Sequence, residues 1–172
     1  MRKRSCVIIL FAILSVVTAH GQNVTSRLKI MRGARLDFFF NSYSKFLNGV
    51  TYESYTELQI VYTDTTNTGV QNPAGGWQLT LRALQNSMSG DMTTESLDLG
   101  TIKCRVRFQG TEYGPFDLSA AETVLLSESI TQPTTNETVQ ISYDCGTTAA
   151  NSLLNKKDDV YFIDLEFTLK PQ

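Results

Sequence analysis

Ile102, Cys104, Val106 and Phe108 alternate with Lys103, Arg105 and Arg107. Successive side chains of a strand point to opposite faces, so a strict two-residue period predicts a strand with one face buried and one in water. The same period returns along the chain. Leu58, Ile60 and Tyr62 oppose Glu57, Gln59 and Thr63, and Trp77, Leu79 and Leu81 oppose Gln78, Thr80 and Arg82. Val139, Ile141, Tyr143 and Cys145 share one face, and Tyr161, Ile163, Leu165, Phe167 and Leu169 interleave with Phe162, Asp164, Glu166 and Thr168. Leu36, Phe38 and Phe40 against Asp37, Phe39 and Asn41 predict a further strand, loaded on both faces. Residues 67–76, 86–94 and 110–115 concentrate Gly, Asn, Pro, Ser and Thr and are expected as loops or turns. Residues 116–126 are weaker, either strand or a helical turn, and residues 146–159 leave room for one short helix.

About seven strands with little helical periodicity predict an all-β fold, an antiparallel immunoglobulin-like β-sandwich over residues 36–172. Ahead of it, residues 1–21 read as a signal peptide. Arg2, Lys3 and Arg4 precede an apolar stretch from Cys6 to Ala19, and small residues follow. That stretch falls short of the roughly 20 residues a comfortable span needs. Export to the periplasm or cell surface is therefore expected, with no membrane span left after cleavage. Residues 22–35 form a polar N-terminal segment in which only Val24, Leu28, Ile30 and Met31, with Ala34, break the polar and glycine run.

Removing the leader takes three of the 15 basic residues and none of the 17 acidic ones, leaving a net charge of −5. A modestly acidic chain with scattered cations has no footprint for nucleic acid. Cleavage also removes Cys6, so Cys104 and Cys145 remain. Two cysteines in an exported chain, each on the apolar face of its strand, predict one intradomain disulfide, with two free buried thiols as the alternative. Closing a loop of about 40 residues stabilises by ~3–4 kcal/mol in the chain-entropy account.

The only histidine, His20, sits at the leader boundary. Acid–base and nucleophilic catalysis lean most often on histidine, and zinc sites on His or clustered Cys. A carboxylate-only glycosidase would need a converging pair, and Glu53 with Glu57 or Asp158 with Asp159 read instead as solvated strand ends. No enzyme, cofactor or metal site is expected. Asp64, Asn67 and Asn72 carry oxygens that calcium uses, but their spacing lacks the order of a calcium loop, and turn chemistry explains them. Asn23-Val24-Thr25 and Asn136-Glu137-Thr138 fit the glycosylation tripeptide, which matters only in a glycosylating pathway.

The run Thr56-Glu57-Leu58-Gln59-Ile60, the loop ending in Gly76-Trp77-Gln78-Leu79-Thr80-Leu81, and the closing strand from Tyr161 to Leu169 resemble small secreted bacterial β-sandwich proteins. These are the pilin-like and spore-coat-U-like surface subunits. The resemblance implies assembly with other subunits on the cell surface, by exchange of strands. Residues 22–35 depart from it, because their apolar positions keep no clean period of two. The expected function is that of an exported, non-catalytic structural or adhesive subunit, fimbrium-like, acting through strand edges or surface contacts. The alternative is a carbohydrate- or ligand-binding module, in which Trp77, Tyr52, Tyr55 and Tyr113 would stack on a sugar or partner.

Overall fold

The computed structural model describes residues 23–92, 94–154, 156–157 and 159–172. The leader assigned to residues 1–21, His20 and Asp158 lie outside the described residues. Eleven strands occur among the described ones: β1 (Asn23–Arg32), β2 (Val50–Thr65), β3 (Gly76–Ala83), β4 (Met88–Gly90), β5 (Ser96–Leu97), β6 (Ile102–Phe108), β7 (Thr111–Asp117), β8 (Thr123–Ser129), β9 (Thr134–Cys145), β10 (Tyr161–Phe162) and β11 (Leu165–Pro171). One short helix, α1 (Tyr43–Asn48), lies between β1 and β2.

The fold is all-β and every strand pairing is antiparallel. A five-stranded sheet runs β1-β2-β9-β6-β7, a three-stranded sheet runs β11-β3-β8, and β10-β4-β5 form a small ribbon. The expected periodicities close the core between the two larger sheets. Leu58, Ile60 and Tyr62 of β2, Trp77, Leu79 and Leu81 of β3, Val106 and Phe108 of β6, and Val139, Ile141 and Tyr143 of β9 are all buried. The strand count of about seven falls short of eleven because β4, β5 and β10 hold only three, two and two residues, too few to leave an alternating pattern.

Three segments differ from expectation in type. Residues 33–41 carry no strand, although Leu36, Phe38 and Phe40 pack against the core while Phe39 stays 63% exposed. The alternation is real. It records which side chains are buried, not whether the backbone is laddered to a neighbour. The segment lies across one end of the sandwich, and α1 carries Phe46 into the same apolar group, where Phe40 and Phe46 rings sit 5.5 Å apart. Gly33, at φ 70°, sends the chain away from β1 where a Cβ would strike the Tyr55 carbonyl. Conversely, the polar segment contains a ten-residue strand, β1, which pairs along the free edge of β2 from Asn23↔Thr65 to Arg32↔Glu57. Only Val24 and Leu28 of β1 are half-buried, which is why the sequence shows no clean period.

The expected turn over residues 110–115 is instead most of β7. The reversal is tighter: Gln109 and Gly110, at φ 48° and 83°, form a two-residue hairpin loop between Phe108 and Thr111. Two successive positive φ values match the right-handed twist of the flanking strands. Residues 116–126 complete β7 and open β8, so the strand alternative holds there. Among the described residues of 146–159, the short helix for which the sequence leaves room is one 3-10 turn, Ala149–Asn151.

The predicted disulfide is absent, and both thiols are free. The register explains it. Cys145 lies opposite Ile102, whereas Cys104 lies opposite Tyr143, so the two cysteines are diagonal neighbours on adjacent strands. Diagonal positions stand ~7–8 Å apart, beyond the usual Cα separation of a bridge.

Candidate interaction surfaces

Four features of the fold carry polar or exposed chemistry. The first is a seam. β11 pairs with β3 from Leu165↔Ala83 to Pro171↔Trp77 and has no second ladder among the described residues. Its other side runs near β1, the edge of the facing sheet, again without a ladder. Leu165, Phe167 and Leu169 of β11 pack on the core yet stay half-exposed, as do Val24 and Leu28 of β1, while Ile30 is 45% exposed. Unpaired N–H and C=O groups thus flank a line of incompletely covered apolar side chains. At the opposite seam, β7 approaches β8.

The second is an ionic cluster on the outer face of the larger sheet. β2 carries two extra residues between Tyr52 and Thr56, which face Tyr143 and Ile141. The bulge leaves inward parity intact and places Ser54 at φ 47°, where its N–H donates to Ser142 Oγ at 2.8 Å. Glu53 is thereby turned toward Arg105. Arg105 donates to Asp144 at 2.9 Å, to Glu53 at 2.6 Å and to Glu112 at 3.2 Å. Thr51 and Ser142 hydroxyls donate to Asp144 and Glu53 at 2.6 and 3.1 Å. Bonds to Asp144 and then to Glu53 hold the Arg105 guanidinium more firmly protonated than usual. The bond from Arg105 holds the Glu53 carboxyl below the usual carboxylate range. Both carboxylate oxygens of Asp144 and of Glu53 are committed to donors inside the cluster. It is a brace across β2, β9, β6 and β7.

The third is the covered end of the sandwich. Tyr52 lies between Phe38 and Tyr55 at centroid distances of 5.3 and 5.4 Å, and Tyr55 donates its hydroxyl to the Arg35 carbonyl at 2.9 Å. Tyr113 is half-buried on β7 against the core. Trp77 is 1% exposed and meets Phe108 edge-on at 5.7 Å. Of the four aromatics predicted as ligand contacts, Trp77 presents no ring face to solvent and acts as a core anchor. Tyr52 and Tyr55 meet each other in a tilted ring contact, and Tyr113 stands apart from them on another strand. They make no common platform for a sugar.

The fourth is a polar cavity of about 170 Å³ at the end of the sandwich beneath Trp77 and Phe108. Gln109 from the β6–β7 hairpin, Glu128 from β8 and Thr135 and Glu137 from β9 line it.

Glu53 and Glu57 are each tied to a different arginine, Glu53 to Arg105 and Glu57 to Arg32 at 3.4 Å. Of the second pair only Asp159 is among the described residues, and it accepts from the Met92 and Val160 amides. Asp64 is fully buried, bonded by Tyr62 Oη and Asn72 Nδ2 at 3.5 and 3.2 Å, and it ties the 66–75 loop to β2. Among the described residues no group of three or more His, Cys, Asp or Glu side chains is placed to hold a metal, and no helix is long and apolar enough to cross a membrane. Cys104 and Cys145 are buried, and desolvation pushes each thiol up to about 12. Such thiols carry little thiolate at neutral pH.

No family model matches this chain, and no curated protein does. Among solved structures, the crystal structure of the P pilus rod subunit PapA is similar over 84% of this chain and 99% of that one, at 11% sequence identity and a TM-score of 0.43.

The sequence did not single out the Arg105 brace, the seam or the cavity. The brace had a visible trace, since Lys103, Arg105 and Arg107 mark the outer face of β6. Its carboxylates come from three other strands, and only the register brings them together.

Proposed function

We propose that this chain is an exported, non-catalytic surface subunit that joins other protein subunits through the open edge of β11. The observation that carries this reading is the seam. A long unpaired strand edge beside half-covered apolar residues is a template for an added strand. Main-chain hydrogen bonds would supply affinity, and the gaps beside Leu165, Phe167 and Leu169 would select apolar side chains at alternate positions of the incoming strand. The leader read from residues 1–21 supports delivery outside the cytoplasm. The engagement of Glu53 by Arg105 and of Glu57 by Arg32, and the place of His20 in the leader read from residues 1–21, support a role without catalysis.

Size-exclusion chromatography of the exported protein, with electron microscopy of the producing cells, tests this reading. Concentration-dependent oligomers or a surface polymer are expected. A strict monomer at all concentrations, on cells without a polymer, overturns it.

A further inference from the structure

The hydrogen bonds at the two ends of β11 fix which of its main-chain groups face outward. The Leu84 amide donates to the Asp164 carbonyl at 2.9 Å, and the Gln172 amide donates to the Gly76 carbonyl at 2.8 Å. Both bonds keep the register of the β11–β3 ladder. In an antiparallel pair, alternate residues bond to the neighbour and those between them turn their N–H and C=O groups away. Glu166, Thr168 and Lys170 therefore bond to β3, and Leu165, Phe167 and Leu169 present main-chain groups at the open edge. Pro171 has no N–H and ends the row of donors. The side chains divide in the same way. Leu165, Phe167 and Leu169 pack on the core, and Glu166 and Lys170 stand on the outer face with Thr168 between them.

This edge is complementary to itself. A second β11 laid antiparallel bonds to it only where the outward-turned residues of the two copies lie opposite one another. The register centred on Thr168 meets that condition, and it alone sets Glu166 of each copy directly opposite Lys170 of the other. Two opposite-charge pairs form across one axis, and Phe167 of each copy lies opposite Leu169 of the other on the core side. Centring on Glu166 brings two carboxylates together, and centring on Phe167 or Leu169 leaves Glu166 facing no cation. Within the chain, Glu166 already pairs with Arg82 and Lys170 with Glu122. The Thr168 register extends these pairs into a line of alternating sign: Arg82, Glu166, then Lys170 and Glu122 of the second copy.

We propose that the occupant of the β11 edge is β11 of a second copy of this chain, paired antiparallel about a two-fold axis at Thr168. The contact is isologous, since the same residues serve both copies, and it joins the two three-stranded sheets into one continuous sheet. Pairing consumes both edges, so this association stops at the dimer. The inference rests on the reading of β11 as the assembly edge and names what fills it.

Cysteine cross-linking of the exported full chain reads the register. Cys104 and Cys145 are buried, so a cysteine added on the outer face of β11 is the one that reacts. Thr168 faces its own counterpart in a pair without mutual main-chain bonds, where Cα atoms lie about 4.5 Å apart, within reach of a disulfide. Oxidation of Thr168→Cys with copper–phenanthroline should give a covalent dimer. Glu166→Cys and Lys170→Cys should each give at least tenfold less alone, yet cross-link to one another when mixed. That mixture reads the same register should Thr168→Cys fail to fold by circular dichroism. Lys170→Glu, which sets like charges opposite each other at two places, should weaken association about tenfold. Association by size-exclusion chromatography without the Thr168→Cys and mixed cross-links, or unchanged by Lys170→Glu, overturns the pairing and leaves the β11 edge to another partner. Equal cross-linking by every single cysteine reports random collision and also overturns it. A strict monomer overturns both the pairing and the reading on which it rests.

Discussion

At the scale of single residues, Arg105 and the two thiols make opposite demands on solvent. Arg105 and Asp144 expose 19% and 14% of their side chains, so removing the cation strands a largely buried carboxylate. Arg105→Met should cost about 2–4 kcal/mol in urea unfolding, because an uncompensated buried charge is costlier than the pair is worth. Glu53→Gln, at a mostly exposed position, should cost less than about 1 kcal/mol. Its effect should also depend on pH in one direction. The Glu53 carboxyl is held below its ordinary 4.5 in the folded chain, so its contribution is present above that value and is lost as pH falls through the lower folded one. The stability gap between wild type and Glu53→Gln should therefore be full at pH 7 and shrink progressively as pH falls below 4.5. A gap that widens in acid would deny the Arg105–Glu53 bond. For Cys104 and Cys145, raised to about 12 by burial, native alkylation at pH 8 should be slow and should rise in step with global unfolding. Unfolded, unreduced protein should take two labels. Fewer than two would mean the strands shift to let the bridge form.

Among elements, the molecule divides into a spine and loosely held margins. β2, β9 and β6 hold fully buried Ile60, Ile141 and Val106 at the centre of the larger sheet, whereas β1 adds only half-buried Val24 and Leu28 to that core. Ile141→Ala should cost about 2–5 kcal/mol, as a cavity opens that nothing can fill. Leu28→Ala should cost no more than about 1.5 kcal/mol. Hydrogen exchange should rank the same way, with β9 amides opening only on global unfolding and β1 amides well before them. Equal protection of β1 and β9 would contradict this division. The same contrast explains what the sequence disclosed. β2, β3, β6 and β9 each bury one face along a run of alternate residues, so burial writes a period of two into them. β1 lies at an edge with both faces largely in water, and nothing in its composition had to alternate. The 33–41 segment shows the reverse: Leu36, Phe38 and Phe40 alternate because alternate residues cover the sandwich end, with no ladder beneath.

For the whole molecule, the decisive property is how the two sheets are joined at their margins. Five strands face three, so the smaller sheet cannot cover the larger one to both edges, and β11 beside β1 is where cover is thin. That mismatch was not legible in the sequence. The buried strands can be read from periodicity, but partner order comes from contacts such as those of β3 with β11, far apart in the chain. The same applies to the cavity, whose walls meet only once β6, β8 and β9 are in place. If the thin seam is the assembly surface, its disruption should separate from folding. Phe167→Lys places an ammonium where an incoming apolar side chain would sit, while its long stem can leave the head in water. It should retain a cooperative thermal transition and lower the oligomer fraction at least tenfold in size-exclusion chromatography. Val124→Lys is the control: Val124 is 46% exposed on β8, at the far margin of the same sheet. A charge there should leave assembly unchanged. Equal loss from both substitutions would mean that association follows general surface hydrophobicity and not the edge of β11.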